Sequence, residues 1–149
     1  ARFQKNEETE TANLNDVIVK IVEKYQDKKI NINLEENLTI NMRLNSFKRC
    51  LMNLIDNGLS YGKKVEIFTK KTLSNIIIFV DDDGPGIPEK EHQNVMKPFY
   101  RIDKSRGQNK AGVGLGLSIA NDIIRSHGGN ISLEKSTLNG LRVKISLPL

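Results

Sequence analysis

Two asparagines in the stretch NLIDN, Asn53 and Asn57, stand four residues apart, and three consecutive carboxylates, Asp81, Asp82 and Asp83, open the stretch DDDGPGIP. An amide oxygen is a neutral, hard donor, suited to a Mg²⁺ ion that keeps most of its waters and bridges substrate phosphates. At ~100° per residue, positions 53 and 57 lie side by side at the edge of one helix face, so both amides can point into a cleft beside a core. Asp83, just past a strand-like run and beside Gly84, is read as the acceptor of a hydrogen bond from the exocyclic amine of a base, a buried carboxylate giving specificity. Gly84 and Gly86 would leave room for that base, and Pro85 and Pro88 would stiffen the turn, while Asp81 and Asp82 are read as solvated. A third stretch, GVGLGL at 112–117, runs straight into a helix that begins near Leu115. Unpaired backbone N–H groups and the positive end of a helix dipole can meet phosphate oxygens there. Its G-x-G-x-G spacing differs from the G-x-G-x-x-G of a dinucleotide fold, and no G-x-x-x-x-G-K-[ST] occurs, which excludes both usual phosphate loops.

These side chains need elements to hold them. Apolar residues at Leu14, Val17, Ile18, Ile21, Val22 and Tyr25 predict an amphipathic helix. Alternation at Ile30, Ile32 and Leu34, then at Leu38, Ile40, Met42 and Leu44, predicts two short strands separated by EEN. Ser46 is the predicted N-cap of a second helix, whose inner face carries Phe47, Cys50, Leu51, Leu54, Ile55, Gly58 and Leu59. Val65, Ile67 and Thr69 alternate, and IIIFV from Ile76 to Val80 is continuous and β-branched, as in a strand covered on both faces. Leu115, Ile119, Ile123 and His127 mark a last helix stopped by Gly128, and strands follow at Ile131 and Leu133 and from Leu141 to Leu147. Without strict βαβ alternation, the order predicts a two-layer α/β sandwich, a mixed and mostly antiparallel sheet with about three helices on one face. Residues 1–13 read as a polar linker or the end of a preceding helix, and 14–149 as one domain.

Composition narrows the chemistry. No apolar run approaches the ~20 residues of a membrane helix, and the start, ARFQKNEETETANLN, has no apolar signal-peptide core. Cys50, the one cysteine, can form no internal disulfide, which fits a reducing compartment. The net charge is +5, and the stretch KPFYRIDKSRGQNK sets Lys97, Arg101, Lys104, Arg106 and Lys110 against the single acid Asp103. That clustering favours an anionic ligand. Few aromatics and no recognition motif speak against nucleic acid as the partner.

Four blocks in order, NLIDNGLSYG, DDDGPGIP, KPFYRID and GVGLGLSI, resemble the N, G1, F and G2 boxes of the catalytic ATP-binding domain of two-component sensor histidine kinases. That family belongs to the Bergerat-fold superfamily, with the gyrase, mismatch-repair and heat-shock-chaperone ATPases. The resemblance covers roughly Leu14 to Leu149, and FKRCLMNLIDNGLSYG with KPFYRID is most similar to the osmosensor (EnvZ) type. It implies ATP and Mg²⁺ as ligands, with Asn57 coordinating the ion and Asn53 lining the phosphate site one turn earlier. It implies that Asp83 binds the adenine amine, with Gly84, Gly86 and Ile87 beside the ring and Tyr61 near the nucleotide. Phe99 would anchor a mobile lid over about 100–112, with Arg101 and Lys104 supplying phosphate charge; Gly112, Gly114, Leu115, Gly116 and Leu117 would form its phosphate-proximal end. Two departures are visible: Ser60 stands where relatives often carry Lys or Arg, and Val113 replaces a frequent Thr or Ser.

The hydrolases of that superfamily carry a glutamate four residues before the Mg²⁺ asparagine, where this chain has Asn53. An amide is no useful base near neutral pH. The γ-phosphate would then await another nucleophile, in the family a histidine on a separate helical dimerization domain. His92 in KEHQN and His127 in RSHGG lack that context; the first reads as a surface residue on a short helix, the second as a helix C-terminal residue. The resemblance therefore implies an acceptor domain before Ala1 and a response regulator downstream of it. It also implies a monomeric isolated domain, a homodimeric full-length protein, and a cytoplasmic catalytic domain on a bacterial inner-membrane sensor. Rival readings are a degenerate scaffold with weak nucleotide affinity, a serine/threonine kinase of the same superfamily, and a nucleic-acid binder.

Overall fold

The computed structural model describes residues 7–26, 28–100 and 116–149. Its first element is a strand, β1 (Glu10–Asn13), within the segment expected to be linker or helix. β1 pairs antiparallel with β3 (Thr39–Met42), Glu10 opposite Met42 and Asn13 opposite Thr39, as a separate two-stranded ribbon. The chain then turns directly into α1 (Leu14–Val22). The Asn13 side chain caps that helix by accepting from the Asp16 N–H, and the Leu14 N–H donates to the Leu38 carbonyl.

The main sheet has five strands in the order β2-β4-β5-β7-β6, formed by Lys29–Asn33, Lys64–Lys71, Asn75–Asp82, Leu141–Pro148 and Asn130–Lys135. β2 runs parallel to β4 and every other pairing is antiparallel. The two early strands expected on either side of EEN therefore serve different sheets. α1, α2 (Leu44–Tyr61) and α3 (Gly116–Ser126) are the α-helices among the described residues, and two short 3₁₀ turns, Glu89–Glu91 and Asn94–Met96, follow β5. This is the expected two-layer α/β sandwich.

Its core lies between the helices and one sheet face. Phe47, Leu51, Leu54 and Ile55 of α2 and Ala120, Ile123 and Ile124 of α3 are buried with Val65, Ile67, Ile76, Ile78, Val143 and Ile145 of the sheet. Of the four-residue series expected on α3, Ile123 is buried and Ile119 and His127 are half-buried, while Leu117, Ala120 and Ile124 complete the buried stripe; Leu115 lies outside the described residues. β5 is not covered on both sides. Ile76, Ile78 and Val80 are buried, whereas Ile77 and Phe79 are half-buried on the outer face. On that outer face the Phe68 and Phe79 rings stack at 4.7 Å, and the Arg142 guanidinium lies over both.

Ser46 is not the cap of α2. The helix starts two residues earlier, and Ser46 is buried within its first turn. The capping group comes from Glu7, whose carboxylate accepts from the Asn45 and Ser46 N–H groups at 2.6 and 3.0 Å and from the Ser46 hydroxyl. Burial pushes the Glu7 carboxyl upward, but those donors and nearby His127 together pull it below its ordinary value.

Candidate functional site

The three carboxylates go to three different places because a strand alternates its faces and then ends. Asp81 is on the outer face of β5, opposite Arg142 of β7. It is fully buried, with a bidentate pair from Arg142 Nε to Oδ1 at 2.9 Å and from Nη2 to Oδ2 at 3.0 Å. Asp82 shares the inner face with Val80 and is 6% exposed. Neither is solvated, which corrects the sequence expectation.

Asp82 Oδ1 accepts from the Gly84 N–H at 2.9 Å and from the Leu141 N–H at 3.1 Å. Burial pushes its carboxyl above the ordinary value against the pull of those two donors, and the charges of Asp83 and Asp81 add to the push. Two glycines allow the close packing around it. A methyl group at Gly58 of α2 would meet Val65 at 2.9 Å and lie 3.6 Å from Asp82 Oδ2, and one at Gly140 would overlap the Asp82 carbonyl and Oδ1. Asp83, expected to be the buried base acceptor, is half-buried and closes the α2–β4 turn. Its Oδ1 accepts from the Lys63 and Lys64 N–H groups at 2.7 and 3.0 Å. The Lys64 donor, chiefly, holds its carboxyl below the ordinary value.

The rest of the predicted site is divided between α2, the loop after β5 and the start of α3. Gly84 packs so near the end of that helix that a side chain there would strike the Tyr61 carbonyl at 2.9 Å. Gly86 takes a positive φ of 76° and Ile87 is half-buried against the core. Asn53 and Asn57 are half-buried one turn apart, and their amides make no hydrogen bond among the described residues. Gly116, the first residue of α3, sits against the Asn53 carbonyl, so a methyl group there would lie 3.8 Å from it. From Gly58, beside Asp82, back to Asn53 the helix axis rises ~7.5 Å. This stretch of α2 thus runs from the turn packed beside a buried carboxylate to two amides without a partner among the described residues, next to the start of α3.

Tyr61 is 48% exposed at the end of α2, and Leu117 is buried in α3. Phe99 is 66% exposed with a positive φ of 66°, a strained backbone for an aromatic residue. Beside it the Tyr100 hydroxyl donates to the Glu91 carboxylate. Arg101, Lys104, Gly112, Gly114 and Leu115, with the expected lid, lie outside the described residues.

Both histidines are occupied structurally. His92 Nε2 is 2.9 Å from the Ile87 carbonyl and so donates to it. His127 Nδ1 is 2.8 Å from the Ile123 carbonyl, while its Nε2 accepts from the Arg43 N–H at 3.0 Å, tying the end of α3 to the start of α2.

Among the described residues no group of three or more His, Cys, Asp or Glu side chains could hold a metal by itself. The donor set that fits Mg²⁺ is the pair of open α2 amides, which requires the remaining ligands to come from phosphate and water. No helix among the described residues is long and apolar enough to cross a membrane.

The fold defines the class. The catalytic domain of histidine kinase ThkA superposes with a TM-score of 0.78 at 28% identity, covering 95% of this chain and 97% of that one. Sensor histidine kinase GtrS of Pseudomonas aeruginosa is 42% identical over 69% of this chain and 21% of its own length. Sensor histidine kinase CpxA of Escherichia coli is 40% identical over 70% of this chain and 23% of its own. The profile of the histidine kinase-, DNA gyrase B- and HSP90-like ATPase family matches residues 42–149. The chain belongs to this family, as an ATP-binding catalytic domain of the sensor-histidine-kinase kind. It spans about a fifth to a quarter of the length of the curated relatives it matches.

Proposed function

We propose that the cleft binds ATP with its purine at Asp82 and its phosphates toward Asn53, Asn57 and the start of α3, and that the γ-phosphoryl group passes to a histidine on a separate dimerization domain. The carrying observation is this stretch of α2: a buried carboxylate beside one end, and at the other two amides that no described residue satisfies. Asp82 takes the role first read for Asp83, since Asp83 Oδ1 is already committed to two backbone donors. Asp83 instead sets the turn against which Gly84 lies.

Mg²⁺, bound through Asn57 and the phosphates, would supply charge neutralisation at the transferring group. Asn53 would orient the phosphates without activating water, because an amide cannot take up a proton usefully. Arg101 and Lys104 would add positive charge, and the segment with Gly112, Gly114, Leu115 and Gly116 would bring N–H donors. In the transfer the bond from γ-phosphorus to the bridging oxygen breaks and a nitrogen–phosphorus bond forms at the external imidazole, ADP leaving.

The same reading assigns a response regulator as the next acceptor, a homodimer formed outside this domain, and a cytoplasmic position in an inner-membrane sensor. The osmosensor (EnvZ) type is a narrower proposal, carried by FKRCLMNLIDNGLSYG and KPFYRID alone. Incubation with γ-labelled ATP, Mg²⁺ and a histidine-bearing dimerization domain tests the function. Acid-labile label on the added histidine is expected. Acid-stable label on a hydroxyl would instead mark a serine/threonine kinase, and absence of transfer in spite of ATP binding would overturn the reading.

A further inference from the structure

Ser136, in the turn between β6 and β7, lies 54 residues from Asp82 in sequence and is 5% exposed. A serine hydroxyl has one proton to give and two lone pairs. Here all three are used: Oγ accepts from the Leu138 N–H at 3.1 Å and from the Gly140 N–H at 2.9 Å, and donates to the Asp82 carbonyl at 2.7 Å. The first two bonds only shape the turn, which the Ser136 N–H also closes on the Gly140 carbonyl. The third reaches out of the turn and ties it to the site. Its consequence is the position of Leu141, whose N–H meets Asp82 Oδ1. With the Gly84 N–H on the same oxygen, Oδ1 is saturated, and Oδ2, on the Gly58 side, is the oxygen left for a ligand.

We propose that Ser136 is a positioning residue for purine recognition, holding the β6–β7 turn against Asp82 so that Oδ2 alone faces the exocyclic amine. This rests on the reading of Asp82 as the base contact. Ser136 touches neither base nor phosphate; it acts through Asp82 and Leu141.

Paired titrations of ATP and ITP, at one Mg²⁺ concentration, test the role, since ITP carries an oxygen where ATP carries the amine. For Ser136→Ala the preference for ATP over ITP falls about tenfold, the equivalent of one well-made hydrogen bond, while ITP affinity stays within about twofold. Ser136→Thr, which keeps the hydroxyl, restores the preference. Ser136→Cys, close in size but a weak donor, gives an intermediate ratio and serves if the alanine variant fails to fold. A parallel loss of ATP and ITP affinity, or an unchanged ratio in the alanine and cysteine variants, overturns the proposal. If the wild-type domain binds ATP and the Asp82→Asn variant keeps the full preference for ATP over ITP, the reading of Asp82 fails, and this proposal with it.

Discussion

The two ends of the cleft are built on opposite principles. Around the β5 turn every carboxylate is committed: Asp81 to Arg142, Asp82 to Gly84 and Leu141, Asp83 to Lys63 and Lys64. At the other end, Asn53 and Asn57 present amides with no partner among the described residues. A satisfied buried network rigidifies, whereas open amides at a half-buried helix edge wait for a ligand. The end proposed for the purine is therefore preformed and holds the fold together, and the end proposed for the phosphates is left without fold-holding bonds among the described residues.

Substitutions that separate folding from binding sharpen this contrast. Arg142→Ala has the largest expected effect: it leaves the Asp81 carboxylate buried and unpaired, costing about 3–5 kcal/mol in urea unfolding. Gly140→Ala comes next, forcing a methyl group onto Asp82, with an expected loss of about 1–3 kcal/mol by the same measurement and weaker ATP binding.

Glu7→Ala removes the cap of α2 at about 1 kcal/mol, with a distinct pH signature. The Glu7 carboxyl is held below its ordinary value of 4.5, so its contribution is complete above that pH and is lost as pH falls through the lower folded value. Unfolding curves of native and variant domains, separate at neutral pH, should converge in acid. Asn53→Ala has the smallest effect, within about 0.5 kcal/mol of wild-type stability. A large destabilisation there would break the contrast.

The sequence revealed α2 most fully, because its inner residues repeat at helical spacing and Asn53 and Asn57 fall at the edge of that stripe. β1 was hidden: ETAN is mostly exposed and shows no alternation, and its partner β3 lies far along the chain. The Glu7 cap was equally unreadable, since it joins α2 from 38 residues away. Asp82 could have been found. Ile76, Ile78 and Val80 set a two-residue period for the buried face, and one more step reaches Asp82; ending the strand at Val80 concealed it. Ser136 carried only the turn signal of STLNG, which says nothing of the carbonyl its hydroxyl meets.

The most direct test is calorimetric titration of ATP, with and without Mg²⁺, into the native domain and Asn57→Ala, with thermal unfolding of both. The account predicts Mg²⁺-dependent binding that weakens about tenfold or more in the variant, a loss of at least ~1.4 kcal/mol, at an unchanged unfolding temperature. ATP binding indifferent to both Mg²⁺ and Asn57 would contradict it.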